Sequence, residues 1–123
     1  MRKIFLACPY SHADDAVVAG RVSACNQVAA TLIESGHAVY SQVTMSHPLN
    51  GLFRHTQKSD IGKRWTPVDA LFLDAMEELI IVDLPGWDKS AGIQREIEFY
   101  RRRGQPVSLW SEVEHLFSAV EIG

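Results

Sequence analysis

The chain is poor in cysteine. It has two thiols, Cys8 and Cys25, and no CxxC spacing, which argues against a disulfide framework and for a reducing compartment. It lacks an HExxH string and any cluster of Cys and His, so a structural zinc is not expected. It lacks an excess of charge. Twelve Lys and Arg stand against fifteen Asp and Glu, a formal net charge of −3, which gives no electrostatic footprint for nucleic acid or an anionic membrane. Uninterrupted apolar runs are all short, and none suggests a bilayer span. The run Ile4–Ala7 is followed at once by Pro9-Tyr10-Ser11-His12 and two aspartates. It is too brief for a signal peptide, and a cytoplasmic location is expected.

What the chain does have is enough apolar residue for a core, 46% of 123 positions, the size of one domain spanning residues 1–123. The organising stretch is 79–96. Leu79-Ile80-Ile81-Val82 reads as a strand buried on both faces, extending to residue 84. Pro85-Gly86 breaks it, and a helix restarts near Asp88 to Ser90 and runs to about Arg103. Earlier, Lys3–Ala7 reads as strand one. Val18, Val22, Cys25, Ala29 and Leu32 fall at helical spacing over 14–35, with Asp14 and Asp15 at the positive end and Gly36 past the other. Residues 37–41 read as strand two. Residues 42–64 show no steady period and read as a long loop, functional or mobile. Thr66-Pro67-Val68-Asp69 reads as a helix start, with Thr66 the cap, Pro67 at the first helical position and Asp69 completing a capping pair. Residues 106–110 read as strand four and 111–119 as a short terminal helix, with the last four residues loose.

Strands alternating with helices predict a three-layer α/β domain of flavodoxin- or Rossmann-like type, with a four- or five-stranded parallel sheet in the order 2-1-3-4. Ligands in such sheets bind beyond the carboxyl ends of the strands where the order reverses. There the loop after strand one meets the loop after strand three.

Glu96 is the leading candidate in that region. Gly92 precedes it by one turn on the same face and leaves room before the carboxylate. A cleft carboxylate serves as nucleophile, general base or sugar-hydroxyl anchor. An ordinary helical glutamate in an ion pair is the competing reading. Asp83 ends the buried strand, where it would contact a ribose hydroxyl or cap a loop. Asp74, near the inner face of its helix, would reach the site or stay solvated. Tyr10, just after Pro9, would stack on a base or bond a carboxylate, or simply pack in the loop. Trp65 and Trp87 would wall a pocket or cover the core edge. The turn Ser90-Ala91-Gly92, after Gly86, would hold a phosphate on backbone N–H groups, or Ser90 would merely cap the helix. His47, in Ser46-His47-Pro48, would be an acid-base group or a turn histidine. A thiol mechanism for Cys8 with His12 lacks a third group to orient the pair.

Several strings together carry a resemblance. They are Phe5-Leu6-Ala7-Cys8-Pro9-Tyr10-Ser11-His12, Ser46-His47-Pro48, Trp65 through Asp74, Leu84 through Glu98, and Gly104-Gln105-Pro106-Val107. The chain resembles the nucleoside 2-deoxyribosyltransferase-like superfamily and, more closely, the DUF1937 family of unknown function. The resemblance implies that Glu96 is the nucleophile, that Asp74 assists the leaving base, and that Tyr10 orients Glu96. It implies a nucleoside or nucleotide N-glycosidase or deoxyribosyltransferase that needs no cofactor and works as a homo-oligomer on a small-molecule nucleoside or nucleotide. The pattern departs from those enzymes at Cys8, Ala91, Ile93 and Glu98, each of which alters the pocket's width or polarity. A non-catalytic nucleotide-binding module and a structural or partner-binding domain are the alternatives.

Overall fold

The computed structural model describes residues 1–117. Four strands, β1 (Lys3–Ala7), β2 (Ala38–Ser41), β3 (Glu78–Ile81) and β4 (Val107–Leu109), form one parallel sheet in the order β2-β1-β3-β4. The expected order 2-1-3-4 is therefore observed. Strand β1 is central because Ile4, Phe5 and Leu6 are wholly buried, and side chains on a strand alternate between its two faces. Ile4 and Leu6 join the core under one layer of helices, with Cys25, Val28, Leu32 and Val43. Phe5 and Ala7 join the core under the other, with Tyr40, Leu79, Ile93, Ile97 and Tyr100.

Helix α1 (Asp15–Glu34) runs from an Asp14 cap, whose carboxylate accepts from the Ala16 amide, to Ser35, after which Gly36 turns with φ +90°. That is the capping chemistry its sequence anticipates. By length and composition alone α1 is apolar enough to cross a membrane. Its stripe of Cys25, Val28, Ala29 and Leu32 packs on the sheet instead.

Residues 42–64 differ from the expected loop. Helix α2 (Gln42–Asn50) follows β2 directly, and a single 3-10 turn, Lys58–Asp60, leads into helix α3 (Ile61–Ala75). Pro48 and Pro67 both lie inside these helices. Pro67 thus does not open a helix. The turn before it is anchored by the buried Trp65, and the Thr66 hydroxyl donates back to the Gly62 carbonyl at 3.2 Å. Asp69 is consequently mid-helix and caps nothing.

The remaining elements sit close to expectation. Helix α4 (Ala91–Arg102) starts at a Ser90 cap and ends before Gly104, which has φ +66°. Glu98 and Arg102 make an exposed ion pair one turn apart. Helix α5 is short (Trp110–Val113) and continues as a 3-10 turn, Glu114–Leu116. Residues 118 and 119 of the expected terminal helix, and the last four residues, lie outside the described residues.

Candidate active site

Two carboxylates meet where α3 and α4 cover the same face of the sheet. Glu96 lies between Ile93, Ile97 and Tyr100, the residues that seat α4 on the sheet. Its side chain is drawn inward with them, and burial pushes its pKa up to about 8, with the Asp69 carboxylate adding to the rise and Arg95 opposing it. Asp69 is itself pushed up to about 6 by burial, and the Tyr40 hydroxyl opposes that rise. Both rises follow from the cost of holding charge away from water, and that of Glu96 also from the like charge beside it. Two interacting acids of this kind titrate as a pair and hold one proton between them across the neutral range.

Tyr40 completes the cluster. It is buried, and burial together with the Asp69 and Glu96 carboxylates pushes its phenol up to about 12. Among the described residues, Tyr40 Oη and Asp69 Oδ1 are buried without a hydrogen-bond partner, so the two groups sense each other outside good hydrogen-bond geometry. Tyr100, below them, donates to the Leu73 carbonyl at 2.8 Å, and burial raises its pKa as well.

Asp74 is elsewhere. Its side chain is 79% exposed and ion-paired with Arg103 at 3.0 Å. The helical stripe that aims Asp69 inward leaves Asp74 on the outer edge of α3, so Asp69 occupies the place beside Glu96 expected of Asp74.

Tyr10 belongs to a different group. Its ring packs on the opposite core layer, and its hydroxyl lies 2.7 Å from His47 Nδ1. Asn50 Nδ2 donates to the same oxygen at 3.4 Å, and Trp65 Nε1 donates to Asn50 Oδ1 at 2.7 Å. This chain ties the loop after β1 to α2 and α3. It involves three of the sequence candidates, Tyr10, His47 and Trp65, and gives the phenol His47 and Asn50 as partners rather than Glu96. Pro9 is fully buried in the turn that starts the loop.

The loop after β3 is built from local bonds. Gly86 takes φ +96°, a left-handed conformation that a side chain resists. Arg21, on α1, donates to the Ser11 carbonyl and to the Pro85 carbonyl, each at 3.0 Å, and so joins the two loops at the switch point. A Cβ on Gly86 would lie 3.0 Å from the same guanidinium. Trp87 packs against the core layer that holds Glu96. Ser90 Oγ accepts from the Ile93 amide at 3.3 Å, so its side chain caps α4. Asp83 is committed as well. It accepts from the Ser111 amide at 3.0 Å and from the Ser111 hydroxyl, clamping the start of α5. Gly92 is the least constrained, since a Cβ there would meet only Arg95 Nη2 at 3.8 Å and Ser90 Oγ at 3.9 Å. Among the described residues, no group of three or more His, Cys, Asp or Glu could hold a metal ion.

A family model for a domain of unknown function, DUF1937, matches residues 2–112. The chain belongs to the DUF1937 family. The matched span takes in all four strands, both carboxylates and Ser111. A search of the curated proteins finds no match. Membership of DUF1937 therefore brings no activity with it.

Sequence reasoning missed Asp69, Tyr40, Asn50 and Arg21 as members of these groups. Asp69 lies three residues before Phe72 on the helical stripe, which was the available signal. Nothing in the local pattern marked the other three, which act through residues distant in sequence.

Proposed function

We propose that this DUF1937 domain cleaves the N-glycosidic bond of a nucleoside or nucleotide, using Glu96 and Asp69 as its working carboxylates. The observation that carries the reading is the buried pair itself, two acids of unequal proton affinity where α3 and α4 cover one face of the parallel sheet. Such pairs supply both a nucleophile and a proton.

In the reaction, a carboxylate oxygen of Glu96 attacks C1′ and the C1′–N bond breaks. Its electron pair leaves with the base, which takes a proton from Asp69. Water, deprotonated by Asp69, then attacks C1′ and frees Glu96; a second base in place of water gives transfer. Before attack, the shared proton must pass from Glu96, which binds it more tightly in the ligand-free state, to Asp69. Arg95 Nη2 lies 3.8 Å from where a Cβ on Gly92 would stand, in the first turn of α4. A guanidinium beside a helix N-terminus favours an anionic group there, which supports a 5′-phosphate on the substrate.

The same proton affinities favour a second assignment, in which Asp69 attacks and Glu96 donates. Mass-spectrometric mapping of the sugar ester separates the two, because the label falls on the α4 peptide in one case and on the α3 peptide in the other.

The decisive experiment is incubation with a panel of nucleosides and 5′-monophosphates, following free base by chromatography. Base release that is lost in Glu96→Ala, with the fold retained, supports the reading. Absence of release across the panel overturns it and leaves the domain as a binding or structural module.

A further inference from the structure

Tyr40 combines properties that do not belong together in a simple core residue. It is only 8% exposed, yet its hydroxyl has no hydrogen-bond partner among the described residues. Buried polar groups are paired in the great majority of cases, because an unpaired one costs free energy. A phenylalanine would fill the same space without that cost. The ring is held on several sides. It stacks on Phe72 with centroids 4.0 Å apart and planes 1° from parallel, and it tilts against Phe5 at 5.4 Å. Its backbone is fixed by pairing, Phe5 opposite Tyr40 in the parallel ladder. Phe72 and Asp69 are three residues apart on α3 and so share one helical face. A ring stacked on Phe72 therefore carries its hydroxyl to the level of Asp69, whose Oδ1 is likewise buried and without a partner among the described residues.

We infer that Tyr40 is a positioning residue of the Asp69–Glu96 pair: its hydroxyl donates to Asp69 when that carboxylate is ionised and so biases the single shared proton toward Glu96. The inference deepens the proposed function, since it names the residue that sets which acid is charged. The charged or titratable groups bearing on this arrangement are Asp69 from α3 and Glu96, Arg95 and Tyr100 from α4. Arg95 opposes protonation of Glu96. Tyr100 already donates to Leu73 and does not compete for the carboxylates. That leaves Tyr40 as the group acting on Asp69 in the direction of ionisation. A hydroxyl donor lowers the pKa of the acid it serves and leaves the other acid to keep the proton.

The test does not require turnover. Side-chain carboxyl carbons of Asp69 and Glu96 are titrated by NMR in the parent and in Tyr40→Phe, each assigned by its own Asp69→Asn or Glu96→Gln spectrum. The expected result is that Tyr40→Phe raises the Asp69 midpoint by about one pH unit and narrows the gap between the two acids. In Asp69→Asn, the Tyr40 phenol, followed at its ring carbon, should ionise at lower pH than in the parent. If both midpoints stay put in a Tyr40→Phe protein with native circular dichroism, the inference is overturned. If Tyr40→Phe fails to fold, the phenol titration in Asp69→Asn decides alone: an unmoved phenol overturns the inference and a lowered one supports it. A protein that shows these linked titrations but releases no base would sink the enzymatic reading while keeping the role of Tyr40.

Discussion

Asp69 on α3 helps to hold a proton on Glu96 of α4. Burial is the larger cause of the raised Glu96 affinity and the neighbouring carboxylate the second. The folded state therefore binds this proton more tightly than the unfolded chain, in which a glutamate titrates near 4.5. The stability linked to it is complete below about pH 4.5 and is lost as pH rises to about 8. Thermal unfolding between pH 5 and pH 9 should show the midpoint falling, with a total loss on the order of 4 kcal/mol. Glu96→Gln should flatten that slope and be more stable than the parent at the alkaline end.

The two aspartates of α3 should behave differently. Asp69→Asn should reduce base release by at least about a hundredfold, the ordinary weight of a general acid. Asp74→Ala, which breaks an exposed pair with Arg103, should change it less than about twofold and shift stability by under about 1 kcal/mol. Rates for the two variants on one nucleoside substrate check both statements.

Arg21 and Gly86 should be energetically coupled. Arg21→Ala removes hydrogen bonds to two loop carbonyls and should cost about 1 kcal/mol by urea denaturation. Gly86→Ala forces a side chain into the left-handed region and against the guanidinium, for about 1–2 kcal/mol. In the double variant the collision is gone and the backbone strain remains, so the combined cost should be less than the sum.

The thiols should be inert in the folded protein. Cys8 and Cys25 are both buried; the neighbouring Cys25 thiol together with burial pushes the Cys8 pKa up, while the hydrogen bond with Cys8 draws that of Cys25 down, so it is burial that shields Cys25 from a reagent. Reactivity follows the thiolate. A thiol reagent at neutral pH should therefore modify the native protein far more slowly than the urea-unfolded chain.

Much of the architecture was legible because short-range rules govern it. The apolar runs of β1 and β3, the Asp14 and Ser90 caps and the left-handed turns at Gly36 and Gly104 each follow from a few adjacent residues. The order of the strands then follows from the handedness of parallel crossovers. Residues 42–64 were illegible for the converse reason. Pro48 and Pro67 ordinarily mark helix boundaries, but here a buried Trp65 and the packing of Val43 and Ser46 carry helices through them. That misplaced start turned Asp69 into a cap and left Asp74 as the acid expected at the site. Glu96 was legible from its own helix and Gly92, but its two neighbours come from other elements, and no local period shows them.

The pairing of β2 now bears a second meaning. It is a four-residue edge strand paired, among the described residues, with β1 alone, with Val39 packed toward one layer and Tyr40 toward the other. Because side chains alternate, a slip of one residue would exchange them. Valine would then face the carboxylates, and the phenol would be lost to the far side of the sheet. The ionic state of two acids on α3 and α4 thus depends on a hydrogen-bond register on an edge strand to which neither acid belongs.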